Sequence, residues 1–131
     1  MEQKLLVASD LDSKDFKAIE KILDTIVDDL TKNGDSVRFI IGSLVKFDKT
    51  IHHYASSKSI NSSIIIEEDK DDIFAKAKMC KLADRLIIFT DNDYKKCETK
   101  FSNRIENFIH FMFGRNILPQ IINISKAFNV N

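Results

Sequence analysis

The sequence has few cysteines and no long apolar segment. It contains two cysteines, Cys80 and Cys97, in 131 residues, and it has no CxxC motif. Such a pair cannot form a zinc set or a disulfide framework, so we expect two reduced thiols, as in cytosolic proteins. No stretch approaches the ~18 apolar residues of a membrane span, and the apolar run near Met1 is too short for a signal peptide. We therefore expect a cytoplasmic protein with no membrane association.

The sequence also lacks an excess of charge of either sign. Lysine and arginine together number 20, as do aspartate and glutamate. Nucleic-acid-binding domains usually have a basic excess, so the balance argues against a nucleic acid partner. Apolar residues make up 44% of the chain, an ordinary content for a globular protein. The length is typical of one domain, so we expect a single domain over residues 1–131 with a C-terminal tail at 125–131.

Glycine and proline are scarce, and each lies at the predicted end of a strand or helix. Between them, apolar runs of strand length alternate with segments whose apolar residues recur at helical spacing. The run Ile64–Ile66 is typical of a strand buried on both faces, and Phe74 is predicted to face the core. The predicted strands are 4–8, 37–41, 60–66, 85–89 and 119–124, and the predicted helices are about 16–30, 47–56, 71–82 and 97–113.

This alternation predicts an α/β fold. We expect a single Rossmann-like domain with a mostly parallel five-stranded sheet in the order 3-2-1-4-5 and helices on both faces. In such a sheet, ligands bind beyond the carboxyl ends of the strands, near the point where the strand order reverses. That crevice would be lined by residues 9–12, 42–48 and 90–94.

Two stretches carry a family resemblance. The first, IIGSLVKFDKTIHHYA, contains Gly42, Asp48, Tyr54 and Ala55. The second, AKAKMCKLADRLIIF, contains Met79, Ala83, Asp84 and Phe89. Together they resemble the SLOG superfamily of Rossmann-like domains, which includes phosphoribohydrolases and nucleotide-sensing domains of bacterial conflict systems. The resemblance extends over about residues 5–124 and implies a nucleotide-binding crevice.

The departures from this family fall on its functional positions. Ser43 and Lys46 replace two glycines of the phosphate-binding turn, Ala75 and Lys76 replace an Arg-Asn pair, and Ala8-Ser9-Asp10 replaces Gly-Ser-Arg. A side chain in place of glycine obstructs the close approach of a phosphate to the backbone. The resemblance therefore implies a non-catalytic binding protein, without a cofactor, for a nucleotide-derived ligand or a protein partner. The predicted ligand-binding residues are Ser9, Asp10, Gly42, Ser43, Lys46, Asp48, Thr90 and Asp91.

Enzymatic alternatives remain open. Asp91 and Asp93 follow a strand in the pattern TDNDYKK, which resembles the metal-binding DxD of Toprim domains, and Asp10 or Asp12 would supply a further carboxylate. Two carboxylates at the end of a strand suit Mg²⁺, so one alternative is a Mg²⁺-dependent nuclease. Another is a diverged nucleotide phosphoribohydrolase.

A third class is a protein that acts by docking on another protein or as a homodimer. Lys95, Lys96, Lys100 and Arg104 form a basic cluster, of a kind that attracts phosphates or acidic partners when it is not simply solvated. The phenylalanine-rich segment 101–113 has more aromatic residues than one helix face needs, so it is a candidate core element or dimer surface. The high content of lysine, asparagine and isoleucine indicates an AT-rich genome, such as that of a phage or a bacterium.

Overall fold

The computed structural model describes residues 1–10, 16–91 and 101–124. Strands and helices alternate along the chain, as predicted. Asp12, Asp93, the three lysines of the basic cluster, the predicted helix start at Cys97 and the tail at 125–131 lie outside the described residues. The elements are β1 (Glu2–Ser9), α1 (Phe16–Lys32), β2 (Ser36–Gly42), α2 (Lys46–Ser57), β3 (Asn61–Ile65), α3 (Ile73–Leu82), β4 (Arg85–Thr90), α4 (Asn103–Phe113) and β5 (Gln120–Asn123).

The five strands form one parallel sheet in the order β3-β2-β1-β4-β5, which confirms the predicted topology. The central strand β1 pairs with β2, where Leu5 lies opposite Phe39, and with β4, where Ser9 lies opposite Phe89. At the outer side, Gly42 of β2 lies opposite Ile65 of β3. The carboxyl ends of β1 and β2 therefore open toward the same edge of the sheet.

Alternating side chains of the sheet enter two separate apolar cores. Leu5 and Val7 of β1 belong to the core that α1 and α2 cover, whereas Leu6 and Ala8 belong to the core that α3 and α4 cover. Successive residues of a strand point to opposite faces, so a strand buried on both sides must be apolar at every position. This explains the continuous run from Leu5 to Ala8 and confirms that helices lie on both faces.

Helix ends follow local sequence signals. Gly34 has a φ of 88°, and the N–H groups of Gly34 and Asp35 donate to the carbonyls of Thr31 and Leu30. This is the Schellman arrangement that terminates a helix with glycine. The side chain of Asp72 accepts a hydrogen bond from Ala75 N–H at 3.0 Å and so caps α3. Among the described residues, no helix is long and apolar enough to cross a bilayer.

Two core predictions were wrong. Ile65 is buried, but Ile64 and Ile66 are 41% and 74% exposed, and Phe74 is 85% exposed. The Ile64–Ile66 run lies at and just beyond the end of β3, which is an edge strand of the sheet. Phe74 is the second residue of α3, and its neighbour Ala75 takes the inward position, because adjacent helical residues point about 100° apart.

Candidate functional site

A cavity of about 720 Å³ lies at the carboxyl end of β1. Its walls come from the N-terminal ends of α2, α3 and α4 and from the loop between β3 and α3. Ligand pockets typically measure about 300–1,000 Å³, and in open α/β sheets they lie at this edge. The described lining residues are Ala8, Ser9, Val45, Phe47, Asp48, Lys70, Asp71, Ile73, Lys76, Ser102, Asn103, Arg104, Ile105, Glu106 and Asn107.

A triad of charges, of which Arg104 and Asp48 line the cavity, lies beside it. Arg104, in the first turn of α4, donates from Nη1 to Glu67 Oε2 at 2.6 Å and from Nη2 to Glu67 Oε1 at 3.0 Å. The same Nη2 lies 2.6 Å from Oδ2 of Asp48, in the first turn of α2. The guanidinium carbon is also 5.0 Å from the centre of the Phe108 ring, within cation–π range. Arg104 is thus held in place by two carboxylates and one aromatic face.

Gly42 makes room for this triad. A Cβ at this position would overlap Glu67 Oε1, and it would lie 2.6 Å from Asp48 Oδ2 and 2.7 Å from Arg104 Nη2. Side chains of the protein itself therefore approach Gly42 closely.

Burial controls the protonation of Asp48. The pKa of Asp48 is raised to about 6, chiefly by desolvation and also by the neighbouring Glu67 charge, although Arg104 and a hydrogen bond from the Gly42 backbone act to lower it. Desolvation of a carboxyl group favours its neutral form. Since Asp48 lines the cavity, it is a carboxyl group that can exchange a proton near neutral pH.

The predicted anion-binding residues after β2, Ser43 and Lys46, lie in different environments. Ser43 Oγ accepts a hydrogen bond from Glu67 N–H at 2.8 Å, so Ser43 positions a member of the triad. Lys46 is exposed as the first residue of α2. Val45 gives that helix no side-chain cap, and Asp48 places a carboxylate within its first turn. An anion at a helix N-terminus is stabilised by the helix dipole, and here the protein provides that anion itself.

The remaining predicted residues cluster at the ends of β1 and β4. Thr90 Oγ1 donates to Asp10 Oδ2 at 3.2 Å, and Ser9 lies on the cavity wall. Asp91 is exposed. Of the eight predicted ligand-binding residues, Ser9 and Asp48 belong to the described cavity wall.

The Mg²⁺ alternative depends in part on residues outside the described ranges. Within residues 1–10, 16–91 and 101–124, no group of three His, Cys, Asp or Glu side chains is arranged to hold a metal ion. Asp93 and Asp12 lie outside these ranges. The Asp91/Asp93 pair therefore stays a prediction.

Sequence reasoning missed Lys76 as a candidate site residue. This lysine is only 2% exposed, lies on the cavity wall, and donates from Nζ to the Lys70 carbonyl oxygen at 2.7 Å. Lysine is almost never fully buried unless its charge is compensated. Lys76 and Arg104 both lie near the N-terminus of a helix, where the dipole disfavours cations. The structure was needed to find these placements, because the predicted helices 71–82 and 97–113 begin further upstream than α3 and α4.

The phenylalanine-rich segment belongs mainly to the core. Phe108 is fully buried, and Phe101 and Phe111 pack against the core beneath α3 and α4. Phe113 is 54% exposed. Cys80 is a buried free thiol, and desolvation raises its pKa to about 12, so this thiol stays protonated.

No protein-family model matches the chain, and no curated protein matches it in sequence.

Proposed function

We propose that this protein is a non-catalytic binding protein that holds a nucleotide-derived, phosphate-bearing ligand in the cavity between α2, α3 and α4. The observation that carries the proposal is the buried Lys76 on the cavity wall. A buried ammonium with one described hydrogen-bond acceptor has capacity for further acceptors. A phosphate group in the cavity would supply them.

The charges of the triad favour a phosphate position near Lys76 over one at the Gly42 turn. Arg104 contributes one positive charge against the carboxylates of Asp48 and Glu67. Above the Asp48 pKa of about 6, the triad therefore has a net charge of −1 and repels an anion. The expected ligand places its phosphate against Lys76 and its less polar part against Val45, Phe47 and Ile73, which also line the cavity.

The absence of catalysis in this proposal rests on the triad. Both carboxylates closest to the Gly42 turn are hydrogen-bonded to Arg104. Charge-assisted hydrogen bonds of this kind are among the strongest in proteins. They hold Asp48, which lines the cavity, and its neighbour Glu67 in fixed positions, which supports a binding role.

One observation favours a second candidate, a diverged nucleotide phosphoribohydrolase. Asp48 lines the cavity and has a pKa raised to about 6, and a carboxyl group of such pKa is suited to general acid–base catalysis near neutral pH. Under this alternative, Asp48 would exchange a proton with the substrate while Arg104 keeps it oriented.

Calorimetric titration with AMP, a cyclic nucleotide and ADP-ribose would test the proposal. We expect at least one to bind, and we expect Lys76→Met to weaken that binding about tenfold or more, since a hydrogen bond to a charged group contributes roughly 1.5–3 kcal/mol. Methionine is long, flexible and neutral, so it should fill the buried position. Lys78→Met is the matched control, because Lys78 is exposed on the same helix and lies outside the described cavity wall.

Each outcome has a definite meaning. A wild-type protein that binds none of these molecules would refute the proposal, and equal affinities in Lys76→Met and wild type would refute the assignment of Lys76. Release of free base during incubation with AMP, lost in Asp48→Asn, would establish the hydrolase alternative instead.

A further inference from the structure

The triad beside the cavity has two carboxylates for one guanidinium group. Arg104 donates to Glu67 from both Nη1 and Nη2, at 2.6 and 3.0 Å, whereas Asp48 accepts from Nη2 alone, at 2.6 Å. The side chains of Glu67 and Asp48 are 0% and 6% exposed, so water does little to compensate the second negative charge. When two carboxylates share a site, ionisation of both is unfavourable. A single proton therefore brings the buried cluster to neutrality.

The geometry makes Asp48 the member of the triad that takes this proton. Glu67 has both carboxylate oxygens on Arg104 and lies outside the described cavity wall, whereas Asp48 has one oxygen on Arg104 and lines the cavity. The pKa of Asp48, raised to about 6 chiefly by desolvation, agrees with this placement. Asp48 is thus a proton-binding group within the charge cluster and next to any molecule that occupies the cavity.

The other charges that surround Asp48 are balanced. They come from α3, from α4 and from the loop before α3. The positive side chains are Lys70, Lys76 and Arg104, and the negative ones are Glu67, Asp71 and Glu106. On α2 itself, Lys46, Lys49 and His52 are exposed and lie outside the described cavity wall. Because the formal charges of the six surrounding side chains cancel, Asp48 decides whether this end of the sheet is neutral or negative.

We propose that anion binding in the cavity is coupled to protonation of Asp48, so that the protein holds its ligand at mildly acidic pH and releases it as the pH rises. This regulation rests on the proposed function, because it acts on the phosphate that Lys76 would bind. When Asp48 is protonated, the triad is neutral and leaves the attraction of Lys76 for the phosphate unopposed. When Asp48 is ionised, its negative charge on the cavity wall weakens that attraction. Linkage makes the effect reciprocal, so a bound anion also favours the protonated form of Asp48.

The probe in a test of this coupling must not titrate itself. A phosphate monoester such as AMP changes charge near pH 6, which would obscure a change at Asp48. Cyclic AMP and ADP-ribose contain only phosphodiester-type groups and lack that ionisation. Calorimetric titration of the full chain with these two probes would compare the affinities at two pH values. We expect the affinity at about pH 5.5 to exceed that at about pH 7.5 by about tenfold, within the roughly 5–150-fold range typical of coupling between two sites.

Proton uptake provides a readout that a merely structural role of Asp48 would not change. Titrations near pH 6.5 in two buffers of different ionisation enthalpy measure how many protons the protein takes up as the probe binds. We expect uptake of about half a proton per bound molecule, because a tenfold coupling corresponds to one pKa unit.

Two variants on α2 test the assignment to Asp48. Asp48→Asn resembles the protonated acid and cannot ionise, so it should bind the probe at both pH values about as tightly as the wild type does at the lower one, without proton uptake. His52→Gln is the matched control, because His52 is exposed one helical turn after Asp48 and histidine ordinarily changes charge between about pH 5 and 8. This control should retain the pH dependence and the proton uptake of the wild type.

The outcomes separate the failure of this regulation from the failure of the proposed function. A wild type that binds neither probe at either pH would overturn both. Binding that is equal at the two pH values, tighter at the higher one, or unaccompanied by proton uptake would overturn the regulation and leave the proposed function intact. A pH dependence that persists in Asp48→Asn would also overturn it. Loss of the pH dependence in Asp48→Asn, with its retention in His52→Gln, would support it.

Discussion

Arg104 follows Asp48 by 56 positions in the chain, yet its Nη2 lies 2.6 Å from Asp48 Oδ2. The two residues belong to α4 and α2, which cover opposite faces of the sheet. Their contact passes over the carboxyl edge of the sheet, beside Gly42, and Glu67 joins it from the end of β3. The triad therefore connects both helical layers at the place where an open α/β sheet ordinarily binds its ligand.

Removal of Arg104 should strongly destabilise the fold. Arg104→Met leaves Asp48 and Glu67 buried without their counter-charge, and breaking a buried ion pair in this way costs about 3–5 kcal/mol. Urea unfolding at neutral pH would measure the loss. The control is Arg85→Met at an exposed position, where we expect a change within about 0.5 kcal/mol.

A second background separates the effect of losing the counter-charge from the effect of losing the packing of Arg104. In a background of Asp48→Asn and Glu67→Gln, the same Arg104→Met change leaves no buried carboxylate unpaired, so its cost should fall well below that in the wild type. An equal cost in both backgrounds would show that the arginine stabilises the fold through packing alone.

Gly42→Ala should be among the more damaging glycine replacements. The new Cβ would overlap Glu67 Oε1, and forcing extra atoms into a packed site typically costs about 1–3 kcal/mol. Unfolding of Gly42→Ala/Glu67→Ala tests the mechanism, because removal of the glutamate makes room for the methyl group. The double variant should lose less stability than the sum of the two single variants, and strict additivity would contradict the steric explanation.

The pH dependence of stability should carry a contribution from Asp48 of unusual sign. Its folded pKa of about 6 lies above the ordinary value of 3.8, so the folded state retains a proton that the unfolded state releases. The contribution of Asp48 to the free energy of unfolding is therefore complete below pH ~4 and is lost as the pH rises through 6. With about 1.36 kcal/mol per pKa unit, the loss is on the order of 3 kcal/mol.

Comparison with Asp48→Asn isolates this contribution, because the other carboxyl groups titrate in both proteins. Asparagine resembles the protonated acid in shape and charge. The free energy of unfolding of Asp48→Asn should rise relative to the wild type between pH 4 and pH 7. Parallel pH profiles of the two proteins would show that Asp48 titrates with an ordinary pKa.

Ser43 should contribute to stability through Glu67. Ser43→Ala removes the acceptor of the 2.8 Å hydrogen bond from Glu67 N–H, and loss of such a bond costs about 1 kcal/mol. Thermal unfolding should reveal the decrease, with Ser56→Ala at an exposed position of α2 as the control. Similar midpoints for both variants would argue that the loop after β3 holds Glu67 without Ser43.

Local patterns were sufficient to predict the fold. The run from Lys4 to Ala8 predicted a buried strand, and the apolar stripe from Phe16 to Leu30 predicted a helix with one apolar face. These signals repeat every two or every 3.6 residues, so they can be detected in a short window. The alternation of such segments, together with the rule of right-handed crossovers, predicted a parallel sheet, and the order 3-2-1-4-5 was the Rossmann-like arrangement expected for it.

The candidate site was only partly predictable. The position of the crevice follows from topology, and two of the residues predicted there, Ser9 and Asp48, line the cavity. Arg104 appeared only as part of a basic cluster, and Lys76 only as a departure from a family motif. Nothing in the local sequence around either residue identifies its partner, because an ion pair depends on a distance in space and leaves no periodic pattern along the chain.

The sequence by itself thus determined which residues form strands and helices, because hydrophobic burial repeats with the period of the backbone. Tertiary structure alone decided that Gly42 makes room for Glu67, that Arg104 lies between two carboxylates, and that Ile64 and Phe74 remain exposed at the edge of the sheet. Each of these arrangements depends on contacts between elements that are distant in sequence, because electrostatic and steric effects act over only a few ångströms.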